Sequence, residues 1–183
     1  MGYKKYVTDY DKQYVIKPNG KPGVIAVYRG KYFCFSADGA TLKRARLFLG
    51  CLSVLAFVLA TIPLLYQSVG SHTLYVALPH AILFFPLVHL LLGVYGFCFR
   101  KPPLIREYRD KIEGRTVVSS AVSMCMLGGT AVAQVVNCFL SGFSVPDVIY
   151  FVLLFVASAA TGMIFFSRGL LKTEECNECG EKL

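Results

Sequence analysis

Between Leu47 and Phe99 the chain carries two apolar runs, LFLGCLSVLAFVLATIPLLY and TLYVALPHAILFFPLVHLLLGVYGFCF, separated by the short polar turn QSVGSH. Neither run contains Asp, Glu, Lys or Arg. A stretch of about 20 apolar residues matches the ~30 Å hydrocarbon core of a bilayer and exceeds what a buried helix of a soluble domain needs. The pair predicts a transmembrane helical hairpin over 47–99. Composition agrees: 55% of residues are hydrophobic and only 16% charged, against about 25% charged in soluble domains.

A second hairpin is expected over 116–167, with helices at about Thr116–Leu140 and Val148–Ser167. Its first helix is crowded with small residues, among them Ser119, Ser123, Gly128, Gly129 and Ala133. Its second carries a matching patch, Ala157–Gly162. Small side chains let helix backbones approach closely where lipid supplies no hydrophobic drive. The two patches are therefore expected to pack on each other or on another protein. The fold class is an all-α polytopic membrane protein with four transmembrane helices and a small β-rich cytoplasmic N-terminal region.

Orientation follows from the cations. Of the 19 Lys and Arg, ten lie in 1–46, six in 99–115 and three in 168–183, while 67–72 and 141–147 hold none. The positive-inside rule places both termini and the central loop in the cytoplasm of a multi-pass protein of the cell membrane. The net charge of +8 is thereby assigned to the flanks of the spans and to anionic headgroups, not to nucleic acid. The N-terminus has neither the apolar core of a signal peptide nor the Ser/Thr of a myristoylation motif, which leaves the first helix as the insertion signal.

Residues 1–46 read as a basic β-meander, with strands at Gln13–Lys17, Val24–Tyr28 and Tyr32–Phe35 and turns at Pro18–Gly23 and Arg29–Lys31. So few residues bury little core, and the sheet is expected to rest on the membrane surface or on a partner. Ser36, Asp38 and Thr41 are N-cap candidates for the first helix. In 100–115, Ile105, Tyr108 and Ile112 fall at helical spacing and Glu107 stands four before Lys111, which predicts a short amphipathic helix along the interface.

Cys176-Asn177-Glu178-Cys179-Gly180 is the sharpest motif in the tail, 168–183. C-x-x-C-G is half of a zinc knuckle; the alternatives are a dithiol redox pair or a plain solvated tail. No cofactor is expected beyond this; zinc is the one whose ligands the sequence offers, and a second thiolate pair would have to come from another tail or a partner. Within the spans, His80 and His89 lie nine positions apart and so on nearly opposite faces of the second helix. Gln134 and Asn137, three apart on the third helix, approach the same outer side as His80, with Asp147 in the adjoining loop. Together they suggest a polar pocket or pathway, against the plainer reading of interhelical hydrogen bonds.

No carboxylate or cation lies inside any predicted span, which disfavours proton-coupled exchange. Hydrolase and P-loop motifs are absent from the sequence. The leading expectation is a non-enzymatic accessory or interaction subunit of a membrane complex, with the bilayer and other subunits, or further copies of itself, as partners. The alternatives are a small homo-oligomeric transporter or channel using the polar residues, and a metal- or redox-sensing membrane protein using Cys176 and Cys179.

Overall fold

The computed structural model describes residues 3–16, 22–65 and 72–176. Four long helices dominate it: α1 (Gly39–Thr61), α2 (Leu74–Phe99), α3 (Arg106–Ser141) and α4 (Val145–Phe166). All four are long and apolar enough to cross a membrane. Their outward faces are apolar as well, with Phe85 73%, Val132 65% and Phe155 60% exposed. Water penalises so broad an apolar surface, whereas lipid does not.

Local chemistry sets the boundaries. The Asp38 carbonyl accepts from Leu42 N–H at 2.7 Å and opens α1. At the far end of α3, Gly142 takes φ +89°, a conformation that glycine adopts without the Cβ penalty, and the chain turns into α4. Ser144 caps α4, accepting from Asp147 N–H at 3.3 Å, with Pro146 in the first turn where a missing N–H costs nothing. Asp147 thus belongs to the first turn of α4 and not to the loop before it.

The helices form an up-and-down bundle in which α3 packs between α2 and α4, and α1 closes the ring against α4 and α2. Small residues permit the closest approaches. A Cβ on Gly93 would stand 2.9 Å from the backbone nitrogen of Thr116, and one on Gly96 3.1 Å from Ile112 Cγ1. Between α3 and α4, a Cβ on Gly162 would meet Met124 Sδ at 3.1 Å, and the Ser158 hydroxyl donates to the Met124 carbonyl at 3.0 Å. The two small-residue patches do face each other: Ser119, Ser123, Ala157 and Gly162 are buried, Gly128 and Ala133 half-buried. Gly129 is exposed, with nothing within 4 Å of a Cβ built there.

Two expectations are corrected. The amphipathic segment 104–115 is no separate interfacial helix; from Arg106 it is continuous with α3, which runs unbroken for 36 residues. Pairs one turn apart hold that first stretch in helix, Lys111 on Glu107 and Arg109 on Glu113, so Gly114 does not break it. Nor do the N-terminal strands form a meander. β1 (Tyr10–Ile16) and β2 (Pro22–Tyr28) pair antiparallel as a two-stranded sheet, with Tyr10 opposite Tyr28 and Ile16 opposite Pro22. β3 (Tyr32–Phe35) instead sits between β4 (Leu104–Ile105) and β5 (Thr173–Glu175). Its Phe33 and the Leu104 beside it are buried with Leu171 in a core cluster that includes Leu49, Phe97 and Ile112. Pairing with β2 would leave Phe33 without that core. The expected turns at 18–23 and 67–72 fall largely outside the described residues.

Replacing Gly93 by Val is expected to destabilise the bundle by about 1–3 kcal/mol through overpacking against Thr116, whereas Gly129→Ala is neutral or mildly stabilising. Thermal unfolding of the two variants in mild detergent checks this; equal melting temperatures would refute the close α2–α3 approach.

Candidate functional site

At the end of the bundle remote from the sheets, five polar side chains from three helices are at most 2% exposed: His80, Gln134, Asn137, Asp147 and, apart from its hydroxyl an apolar residue, Tyr150. His80 Nε2 lies 2.8 Å from the Ala60 carbonyl of α1. A carbonyl only accepts, so Nε2 carries the proton and Nδ1 of the neutral ring is left to accept the Tyr150 hydroxyl, with which it is in contact. Ala60 needs that donor. It lies in the last turn of α1, where carbonyls lack intrahelical partners, and Pro63 three residues on has no N–H to offer. The His80 ring also stacks on Phe84 and meets Tyr150 edge-on.

One turn before Tyr150, Asp147 accepts from Gln134 Nε2 at 2.9 Å and from the Ser144 hydroxyl. The positive end of the α4 dipole favours a carboxylate there. One turn beyond Gln134, the Asn137 carbonyl oxygen accepts from Tyr75 at 2.9 Å and from Thr73 at 3.3 Å, both at the start of α2. A belt of three hydrogen-bonded groups therefore ties all four helices together. Among the described residues, Gln134 Oε1 and Asn137 Nδ2 are buried without a hydrogen-bond partner.

The sequence-predicted residues divide accordingly. His80, Gln134 and Asn137 join this belt, where their side chains are closed off from solvent. His89 stands apart, exposed on the opposite face of α2, with Nδ1 3.1 Å from the Phe85 carbonyl. Tyr150 is the member that sequence reasoning missed, being one aromatic among many in an apolar run. The signal that finds it is its spacing, one turn after the Asp147 that opens the helix.

The sheet end holds the other candidates. Cys176 is disulfide-bonded to Cys34, joining β3 to the residue after β5 with Cα atoms 5.9 Å apart. In this bond Cys176 has no thiolate to offer a metal, and Cys179 lies outside the described residues. Among the described residues no group of three or more His, Cys, Asp or Glu is placed to hold a metal. The Lys31 ammonium reinforces the same junction through both oxygens of Glu175 at 2.8 Å.

The base of the β1–β2 arm is clamped to the start of α3. Tyr28 accepts from the Arg106 N–H at 3.1 Å and donates to the Lys31 carbonyl at 2.9 Å; Arg106 reaches Asp9 at 3.9 Å, and Tyr6 donates to Asp110 at 3.1 Å. Partial burial raises the Tyr28 phenol above its ordinary value, and the Arg106 hydrogen bond opposes this in part. The phenol accordingly stays protonated at neutral pH, as its role as a donor requires.

No family model, curated protein or solved structure matches this chain.

Tyr150→Phe is expected to lower stability by about 1–3 kcal/mol, because it strands His80 Nδ1 in an apolar interior. The double variant His80→Leu with Tyr150→Phe strands only the Ala60 carbonyl. A double-mutant cycle from melting curves should therefore give a combined loss well below the sum of the single losses; strict additivity would refute the contact.

Proposed function

We propose that this chain is a non-enzymatic accessory subunit of the cytoplasmic membrane that presents its β1–β2 arm to another protein. One observation carries the reading: among the described residues, the side chains of the outer part of the arm are exposed. Tyr14 is 83% and Ile16 80% exposed, and Val24 and Ile25 are about half exposed. An isolated two-stranded ribbon is marginal in water, so an arm held at its base and exposed along its strands gains stability by docking. The partner is an extended segment that adds as a third strand along the free edge of β2. β1 carries Asp11 and Lys12, charges of the kind that blunt an edge, whereas PGVIAVY in β2 has none. The helices serve as the anchor, and the cation count favours an arm on the cytoplasmic side.

Two consequences distinguish this from a free-standing protein. A photocrosslinker at Ile25 should capture one defined partner in native membranes, and one at Phe155 on the lipid-facing side of α4 should not. Ile25→Lys should abolish co-purification of that partner while leaving the melting temperature of the isolated chain unchanged. Retention of the partner by Ile25→Lys would sink the edge-pairing idea.

A second reading draws on the Cys34–Cys176 bond: a redox-responsive membrane protein in which the oxidised form staples the C-terminal segment to β3. Reductant should then speed tryptic cleavage after Lys172, and Cys34→Ser should show the fast rate without reductant. Equal rates in all three samples would remove this reading.

A further inference from the structure

Where α2 ends and α3 begins, the two helices leave a cleft of about 160 Å³. Its lining combines two chemistries. Leu92, Tyr95 and Ile112 give it apolar surface, and Arg100, Lys111 and Arg115 give it cations. Lys111 is paired with Glu107. Arg100 and Arg115 form no salt bridge among the described residues, and the Arg100 guanidinium instead lies 3.3 Å from the centre of the Tyr108 ring. Stacking on an aromatic face fixes the plane of a guanidinium and leaves its N–H groups free to bind an anion. Gly96 forms part of the wall, and a Cβ there would stand 3.1 Å from Ile112 Cγ1 on the opposite helix.

We propose that this cleft binds the headgroup of an anionic glycerophospholipid. The phosphate sits between Arg100 and Arg115, and an acyl chain runs along Leu92 and Tyr95. Two unpaired guanidinium groups give the cleft a net positive charge, which selects an anion. The apolar lining selects a lipid over free phosphate, because a small hydrated ion gains nothing from Leu92 or Ile112. The level of the cleft agrees: Tyr95 stacks near Phe99 with ring centroids 4.7 Å apart, and with Tyr108 they make an aromatic band at the end of an apolar span, where headgroups lie. The site rests on the membrane placement above but not on the docking of the arm.

The test reconstitutes the full chain in vesicles of equal parts phosphatidylglycerol and phosphatidylcholine, extracts it in mild detergent and counts retained lipids by native mass spectrometry. The wild type should retain phosphatidylglycerol over phosphatidylcholine by roughly tenfold. Arg100→Gln with Arg115→Gln should abolish the preference, while Arg168→Gln with Lys172→Gln, which removes as much charge outside the cleft, should keep it. Both pairs of positions are exposed, and Arg115→Lys should restore part of the selectivity if loss of Arg115 alone disturbs the fold. Three results overturn the site: equal retention of the two lipids by wild type, selectivity that survives in the Arg100/Arg115 variant, or selectivity lost equally in both double variants. Displacement of the lipid by millimolar inorganic phosphate would assign the cleft to a free anion and overturn the lipid assignment. Carbonate washing of the vesicles separates the premises: a chain that is washed off refutes the membrane placement and the site together, and a chain retained without selectivity refutes the site alone.

Discussion

The bundle depends on how closely α3 can lie against its neighbours. Helices whose outward faces are this apolar are suited to apolar solvent, where burying leucine gains little and contact distance and interhelical hydrogen bonds decide which faces meet. Gly93 and Gly96 admit Thr116 and Ile112 on one side of α3, and Gly162 admits Met124 on the other. The Ser158 hydroxyl uses the second approach to reach a main-chain carbonyl of α3. With α3 seated between α2 and α4, Gln134 and Asn137 are carried into reach of Asp147 and Tyr75. Moving any of these contacts by one residue would bury those polar groups against hydrocarbon side chains. The polar belt thus specifies the register that the glycines permit.

Much of this was legible in the sequence, for identifiable reasons. Charge-free runs of sufficient length announce the four helices, and the helical period places His80 and His89 on opposite faces. Residue size marks the α3–α4 contact, although Gly129 shows that a small residue is not always an interface residue. What stayed hidden is what distant segments decide. β2 has turn signals on both flanks that suit a meander, yet the partners of β3 stand some 70 and 140 residues downstream. Their pairing answers to the need to bury Phe33 beside Leu104 and Leu171. Tyr150 is set apart from neighbouring aromatics in the sequence only by its place one turn after Asp147, and its role is decided by a histidine on another helix that requires a donor. The helix after Ile105 was legible from its spacing, but its continuity with α3 was not, because the change from polar to apolar composition at Arg115 marks the start of a span and not the start of a helix.

The sheet end brings together two rules that usually agree. Its surplus of Lys and Arg points to the cytoplasmic face, and a disulfide is characteristic of oxidising compartments. Cys34 and Cys176 are brought together by the β3–β5 ladder and by Lys31 on Glu175 as well as by the bond between the sulfurs. The bond is therefore one of several contacts that join the strands. A reducing environment would leave the sheet paired through its backbone, and the thiols as a cross-link formed only when an oxidant arrives.

The unbroken length of α3 has a mechanical meaning. At 1.5 Å per residue its 36 residues make a rod of about 54 Å, well beyond the ~30 Å of a hydrocarbon layer. Its first turn grips the arm through Arg106, and its last turns carry Gln134 and Asn137. Any sideways pull on the arm acts on the near end of a stiff lever whose fulcrum is the glycine contact at Gly93 and Thr116. The far end must then swing against Asp147 and Tyr75, so that strain applied outside the bundle is felt by its most deeply buried hydrogen bonds.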